Sequence, residues 1–336
     1  MFPKWDGDVD DPAADNIIKV MFNDPGWKWI MDCWQVTGTQ KPLKIEASPV
    51  KTEASPKKVG KGYDPFAPND KKKSEELTEW LKTDPCPSRY YQILRTSLEW
   101  LSDHQMDAFI NLLRQLYQDH PDWFRSDRMC FLDHVFSRQW RASYPDFKSD
   151  LGDVNGLGRR LPGGAWNYHA GEIPSICQSM KVWGVDVDDI YAPVNYKNDH
   201  WLDIWISIPK RHIVVWDSII KHIRPEQLDE VMEPFITMVP YLLVECAISD
   251  EQRAQYTLEP YTYERQLVGV PQCRAGDCGV FALKYIECHA LGMDFPKAFS
   301  SWKAIRKKMA VDIYQQLPMR HEWENQDNDE NLGTYD

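Results

Sequence analysis

The chain has 336 residues, a net charge of −12 at pH 7, 43% hydrophobic residues and fifteen tryptophans. This length allows one large domain with extensions or two ordinary domains, and the hydrophobic content suffices for a sizeable core. The negative charge argues against nucleic acid as the main partner of the folded body, and no apolar stretch approaches the roughly 18 residues that span a bilayer.

The eight cysteines lack the regular spacing of small disulfide-stabilised domains. Four aspartates lie within residues 6–11, so the start of the chain does not have the basic-then-apolar pattern of a secretory signal peptide. We therefore expect an intracellular, soluble protein, in the nucleus or the cytoplasm, whose cysteines are mostly reduced thiols.

Two segments of unusual composition precede the globular part. Residues 1–38 are acidic and rich in tryptophan, and we interpret them as a separate N-terminal segment. Residues 39–73 contain nine lysines and four acidic residues together with Pro, Ser and Gly. Such a composition cannot bury enough apolar surface to fold, which predicts a flexible linker. Its lysine clusters suit nuclear import, although a solvated linker is the favoured interpretation.

The predicted globular domain covers residues 74–320. A capping box and a hydrophobic staple at residues 101–106 start a helix, whose apolar residues recur at helical spacing as far as Tyr117. Residues 129–141 indicate a second helix, and the glycine-rich residues 150–164 indicate a loop.

Two strands follow. Residues 201–208 alternate as a strand does, and residues 212–217 are apolar and β-branched, so a hairpin with a short turn is expected. A polar helix is predicted at 225–233 and a further strand near 262–270.

The segment 278–291 is apolar on nearly all sides, which predicts a central, buried helix with Gly292 as its C-cap. Residues 297–316 indicate a last amphipathic helix, and the acidic residues 321–336 a disordered tail. Helices that flank a mixed or antiparallel sheet give an α+β fold.

Cys278 opens the buried helix, where free backbone N–H groups and the helix dipole favour a thiolate. A lone cysteine at such a position is more often simply a small apolar residue, here with Asp277 as the N-cap. The Asp277 carboxylate also opposes a low thiol pKa unless it points away from the sulfur.

His200 begins the first strand of the expected hairpin and Asp217 ends the second, so the turn at 209–211 brings them nearly opposite each other. Asp217 is then placed to accept a hydrogen bond from the imidazole and to fix its tautomer, although both residue types are also common at strand ends for structural reasons. Gln272, six residues before Cys278, has an amide suited to stabilising an oxyanion. A thiol, an imidazole, a carboxylate and an amide are the components of a cysteine nucleophile with its base, the group that orients the base and the oxyanion donor.

In this order along the chain, these residues resemble the ubiquitin-like-protein-specific cysteine proteases, the SUMO-protease family. The matching residues are Trp100-Leu101-Ser102-Asp103, Asp189 to Asn195, His200-Trp201, Asp217-Ser218, Gln272 and Cys278-Gly279-Val280-Phe281. Papain-like enzymes proper have the cysteine before the histidine, so the order favours the SUMO-protease type. Residues 182–189 are similar to plant members associated with mobile-element-derived genes. Residues 273–277 depart from the family's Asn-Gly-Tyr-Asp-Cys-type run.

The resemblance implies a papain-like-superfamily core of the SUMO-protease type and a role for each matching residue. His200 would be the general base, Asp217 its orienter, Cys278 the nucleophile and Gln272 the oxyanion donor. Trp100 and Trp201 match the two tryptophans that clamp the substrate's Gly-Gly tail in the family, because a slot between two indoles admits a backbone without side chains. Each also has a structural explanation, as a cover for the helix start or as a cross-strand packing residue.

The implied function is a cysteine peptidase or isopeptidase that cleaves after the Gly-Gly tail of a SUMO-like modifier through a thioester, with no metal or cofactor. The expected partners are the modifier and its conjugates, not nucleic acid or a membrane, and the protein is expected to be a monomer. Two alternatives stay open. One is a catalytically relaxed, mobile-element-derived module that binds a modifier, and the other is an acyltransferase using the same triad.

Overall fold

A computed structural model of the protein describes residues 62–83, 88–149, 158–174, 178–295 and 302–315. The predicted N-terminal segment, the predicted linker up to residue 61 and the predicted acidic tail lie outside these ranges. Within them, no helix is both long and apolar enough to cross a membrane.

The described ranges contain both helices and strands. The helices are α1 Lys71–Thr83, α2 Ser88–Arg95, α3 Asp103–Asp119, α4 His134–Lys148, α5 Ala165–His169, α6 Pro225–Glu245, α7 Asp250–Arg253, α8 Cys278–Ala290 and α9 Trp302–Gln315. The strands are β1 Met129–Phe131, β2 Asp189–Tyr196, β3 His200–Ser207, β4 His212–Asp217 and β5 Thr262–Arg265.

The strands form one five-stranded sheet in the order β1-β2-β3-β4-β5. The pairs β2–β3 and β3–β4 are antiparallel, whereas β1 runs parallel to β2 and β5 runs parallel to β4. The predicted α+β fold, with a mixed sheet flanked by helices, is therefore confirmed, as are the hairpin and the buried helix that the sequence placed at 201–217 and 278–291.

Strand β3 is buried along its whole length because helices cover both faces of the sheet. Leu202, Ile204 and Ile206 belong to one apolar core, with residues of α4 and α6. Trp201 and Trp205 belong to a second core, with residues of α3, α8 and α9. Helix α8 lies in that second core, which explains why its sequence is apolar on nearly all sides.

The segment before α1 packs against the back of α8. The Tyr63 hydroxyl donates to Glu287 Oε1 over 2.8 Å, and Lys284 Nζ donates to the Pro65 carbonyl over 3.3 Å. Lys284 and Glu287 form a fully buried ion pair with each other. The packed part of the chain thus begins before residue 74, where the sequence placed the start of the globular domain, because residues 63–66 carry apolar groups that the surrounding lysines obscure.

Three predicted elements differ from the structure, one of which is the strand predicted near 262–270, since β5 ends at Arg265. Residues 129–131 are a strand rather than the start of a helix, and α4 begins only after Asp133, whose side chain accepts from the Phe136 N–H as an N-cap. The helix predicted at 225–233 continues to Glu245, because the apolar residues of its second half are buried on the sheet.

Candidate active site

The N-terminus of α8 places Cys278 against the start of β3. The backbone N–H groups of Trp201 and Gly279 are hydrogen-bonded to its sulfur, and the residue is only 1% exposed. Gly279 permits this fit, because a Cβ there would lie 3.1 Å from Leu101 Cβ and 3.1 Å from Trp201 Cδ1. The first turn of the helix therefore packs directly against the strand that carries His200.

The sulfur experiences opposing influences. Burial raises the pKa of the Cys278 thiol, while the hydrogen bonds from the Trp201 and Gly279 N–H groups act in the opposite direction. The Asp277 carboxylate does not face the sulfur: its Oδ1 accepts from the Leu98 N–H over 3.0 Å and from Arg306 Nε over 2.9 Å. The sequence predicted that the Asp277 carboxylate opposes a low pKa of the Cys278 thiol unless it points away. In the structure this carboxylate is paired with Arg306 instead.

His200 and Asp217 are in direct contact. The distance from His200 Nε2 to Asp217 Oδ1 is 2.8 Å, and both side chains are fully buried. The contact follows from the hairpin register, in which Leu202 pairs with Asp217, so that His200 and Asp217 are diagonal neighbours.

Asp217 is held as an ionised acceptor. Burial acts to raise its pKa, but hydrogen bonds from His200, from the Ile219 N–H and from Arg265 outweigh burial and leave the pKa below its usual value. Arg265 Nη1 lies 3.0 Å from Asp217 Oδ2 and also donates to the carbonyls of Ile220 and Ile223. The sequence did not indicate Arg265, since nothing in its strand distinguishes it from a surface cation.

This pairing fixes the tautomer of His200. An ionised carboxylate only accepts, so Nε2 carries the proton, and the neutral ring presents Nδ1 as an acceptor. Nδ1 is buried, and none of the described residues is hydrogen-bonded to it, Cys278 included. Trp201, whose N–H reaches the sulfur, follows His200 in the chain, so the unpaired nitrogen and the thiol lie at the same end of β3.

Gln272 lies beside the end of β4. Its Nε2 donates to the Asp217 carbonyl over 3.1 Å and to the Val270 carbonyl over 3.3 Å. Both amide hydrogens are therefore engaged in this conformation, and one of them must be redirected for Gln272 to reach an oxyanion. The predicted role of Gln272 stays a prediction.

Trp100 and Trp201 lie against each other, with ring centroids 5.8 Å apart and an interplanar angle of 22°. A peptide between two rings needs two van der Waals contacts of roughly 3.5–4 Å, or about 7–8 Å in all. The expected slot is therefore closed in this conformation. Trp201 is fully buried, and its Nε1 donates to the Leu101 carbonyl over 3.0 Å, whereas Trp100 is only half-buried.

A second buried carboxyl lies close to the site. Asp203 is on β3, two residues after Trp201, and is fully buried. Neither of its oxygens has a hydrogen-bond partner among the described residues, and burial raises its pKa well above the usual value. Burial thus favours the neutral form of Asp203 within the sheet, which the sequence alone did not reveal.

Comparison with known proteins identifies the family of the chain. A family model described as the Ulp1 protease family, C-terminal catalytic domain, matches residues 99–320. The SUMO protease Ulp1, solved with its catalytic cysteine oxidised to a sulfenic acid, has a TM-score of 0.50 and 13% identity, over 76% of this chain and 99% of that one.

Two further solved structures are similar at lower scores. The Ulp1 protease domain in complex with Smt3, the yeast ortholog of SUMO, has a TM-score of 0.47 and 13% identity, over 74% of this chain and 95% of that one. The Ulp1-like SUMO protease catalytic domain of Chaetomium thermophilum has a TM-score of 0.45 and 16% identity, over 73% of this chain and 89% of that one. No curated protein sequence matches the chain.

The 13% identity to Ulp1 shows a shared fold and nothing finer. The family model is the stronger finding, because it covers well over half of the chain and includes the hairpin, the buried helix and the residues that they bring together. The chain therefore belongs to the Ulp1 protease family, and its residues 99–320 are the catalytic domain of a cysteine protease.

Proposed function

We propose that the protein is a peptidase or isopeptidase that cleaves after the Gly-Gly tail of a SUMO-like modifier, with Cys278 as nucleophile, His200 as base and Asp217 as orienter. Family membership supports the substrate class. The observation that carries the assignment is the buried, unpaired Nδ1 of a histidine whose other nitrogen is fixed by an ionised carboxylate. The plant branch, the nuclear or cytoplasmic location and the monomeric state stay predictions.

In the first step, His200 Nδ1 takes the proton of the Cys278 thiol, and the sulfur forms a bond to the carbonyl carbon of the second glycine of the tail, whose oxygen becomes the oxyanion. Catalytic hydrogen bonds are often long without substrate and shorten in the complex, so the missing bond between Nδ1 and sulfur is compatible with this transfer. Asp217, with Arg265 behind it, stabilises the imidazolium that forms.

The tetrahedral intermediate then collapses. Its oxyanion lies at the start of α8, where the Cys278 N–H and a redirected Gln272 amide donate to it. Nδ1–H gives its proton to the leaving lysine amine as the C–N bond breaks, which leaves a thioester on Cys278. Water, deprotonated by the same nitrogen, hydrolyses the thioester and releases the modifier.

Substrate entry requires the two tryptophans to separate. Trp201 is fixed by its burial and by the hydrogen bond to the Leu101 carbonyl, so the half-buried Trp100 is the ring that moves. With Trp100 swung away from Trp201, a Gly-Gly backbone fits beside the indole because it carries no side chains.

The test is a panel of ubiquitin-like proteins with C-terminal electrophiles, incubated with the full chain and with Cys278→Ala. A covalent adduct mapped to Cys278 by mass spectrometry is expected for at least one SUMO-like probe, and none for the variant. Cys273→Ala is the matched control, because this cysteine lies in the same loop and should leave the adduct intact.

Cleavage distinguishes the alternatives. Incubation with a purified SUMO conjugate should release free modifier with the wild-type chain only. Tight modifier binding without an adduct or release would contradict catalysis and favour the binding module. Acylation of Cys278 by acetyl-CoA without cleavage would favour the acyltransferase.

A further inference from the structure

Arg306 on α9 is a fully buried cation, and all of the five N–H donors of its guanidinium are engaged. Nε donates to Asp277 Oδ1, and Nη2 donates to the Gly276 carbonyl over 2.9 Å and to the Glu99 carbonyl over 2.7 Å. Nη1 donates to the carbonyls of Ile93 and Leu94 at the end of α2.

These contacts join two parts of the site that are distant in sequence. Gly276 and Asp277 form the turn directly before Cys278, and Glu99 directly precedes Trp100. The turn is already closely packed: Gly276 has φ +93°, and a Cβ there would lie 2.1 Å from the Leu98 carbonyl oxygen. The same guanidinium therefore sets both the start of the nucleophile helix and the backbone that carries Trp100.

We propose that Arg306 is a positioning residue of the cysteine centre, which holds the Asp277 charge away from the sulfur and fixes the turn before Cys278 to the segment before Trp100. The proposal rests on the proposed role of Cys278 as nucleophile. It assigns no direct contact with substrate to Arg306, which acts through Asp277 and Gly276.

Of the other titratable groups near Cys278, a thiol and a phenol have raised pKa values, and one carboxylate is already paired. On the loop before α8, burial raises the pKa of Cys273 to about 12, and burial also raises the pKa of Tyr285 on α8 itself. Asp217 at the end of β4 is paired with His200 on β3. The carboxylate of Asp277 is next to Cys278 in the chain and depends on Arg306 for its charge compensation.

The test compares Arg306→Met with Lys308→Met in the full-length chain. Lys308 lies on the same helix and is nearly as buried, but it pairs with Asp312 rather than with the turn. The rate of alkylation of Cys278 by iodoacetamide is followed by mass spectrometry across pH, which gives the midpoint of thiolate formation. Melting temperatures show that each variant is folded at the assay temperature.

Arg306→Met is expected to raise the pH midpoint by about one unit relative to Lys308→Met, a tenfold loss of thiolate at a given pH. Adding Asp277→Asn should return it to the Lys308→Met value, because the uncompensated charge is gone. Arg306→Lys should give an intermediate midpoint, since an ammonium keeps the charge but has three donors. Equal midpoints for Arg306→Met and Lys308→Met, or no recovery in the double variant, would overturn the proposal.

If Arg306→Met does not fold, the pH midpoint of Arg306→Lys is compared with and without Asp277→Asn. A midpoint that Asp277→Asn does not lower would then overturn the proposal. The assay requires no modifier. A shifted midpoint with no adduct from any ubiquitin-like probe would therefore contradict the proposed function and leave the role of Arg306 intact. An adduct with an unshifted midpoint would contradict the role of Arg306 and leave the proposed function intact.

Discussion

Asp203→Asn is expected to stabilise the protein at neutral pH. Asp203 is fully buried, its oxygens have no partner in the described part of the chain, and burial raises its pKa well above the usual value. In the unfolded chain the same carboxyl ionises above about pH 4. Burial of this carboxyl therefore opposes folding at pH 7, and an asparagine of nearly the same shape avoids that cost.

The magnitude follows from linkage. Because the folded-state pKa is raised, the contribution of Asp203 to stability is fully present below its unfolded pKa and decreases as the pH rises. Each pH unit by which the folded-state pKa exceeds the unfolded value of about 3.9 costs about 1.4 kcal/mol, and at pH 7 this cost cannot exceed about three units, or about 4 kcal/mol. The buried amide is as unpartnered as the acid, so the net gain is at most about 4 kcal/mol at pH 7 and close to zero at pH 4.

Urea unfolding followed by tryptophan fluorescence at pH 4 and pH 7 measures this difference. Asp217→Asn is the matched control, because it makes the same change at a fully buried carboxyl on the adjacent strand. The folded pKa of Asp217 is lowered, so its contribution is present above the unfolded pKa and is lost as the pH falls. We expect Asp217→Asn to destabilise at pH 7 by about 3 kcal/mol, the lower end for breaking a buried pair, since Arg265 keeps two carbonyl partners.

The two variants should also differ in activity. Asp203→Asn should cleave at the wild-type rate, whereas Asp217→Asn should lose most of its turnover because His200 loses the acceptor that fixes its tautomer. An Asp203→Asn protein no more stable than wild type at pH 7, or a stability difference that does not grow between pH 4 and pH 7, would refute the reasoning. It would mean that Asp203 is charged or paired in the folded protein.

Three further predictions concern the site and its supports. Gln272→Ala should reduce kcat on the order of 10²–10³-fold with little change in KM, measured on a fluorogenic modifier substrate; an unchanged kcat would assign the oxyanion to another donor. Gly276→Ala should lower the melting temperature and the activity together, because φ is +93° and the new Cβ meets the Leu98 carbonyl, whereas Gly163→Ala, with open space around it, should be tolerated. Trp100→Ala should raise KM for the modifier more than it lowers kcat, and an unchanged KM would show that Trp100 is a packing residue.

Much of the site followed from local patterns. A β-branched strand, a three-residue turn and an alternating strand specify a hairpin, and the hairpin alone brings His200 and Asp217 together. The all-round apolar run after Cys278 predicted a buried helix, since only a helix covered on every side is free of a polar face. Both predictions needed no information from distant parts of the chain.

The supporting residues could not be found in this way. Residues 129–131 form a strand only because they pair in parallel with β2, about 60 residues later, and three residues carry no periodicity of their own. Arg306 stands in a basic run with Lys307 and Lys308, and the sequence does not show which of the three contacts the turn before Cys278. That choice depends on how α9 packs under α2 and the turn before Cys278.

The ion pair behind α8 bears on how fragments of this protein should be cut for expression. A fragment that begins at residue 74 removes the Tyr63 hydroxyl from Glu287 and the Pro65 carbonyl from Lys284, and leaves two buried ionic groups each short of a hydrogen bond. The helix that carries Cys278 would then be weakened from its far side, so an inactive short fragment would say little about the enzyme. A recombinant boundary no later than residue 62 preserves both hydrogen bonds.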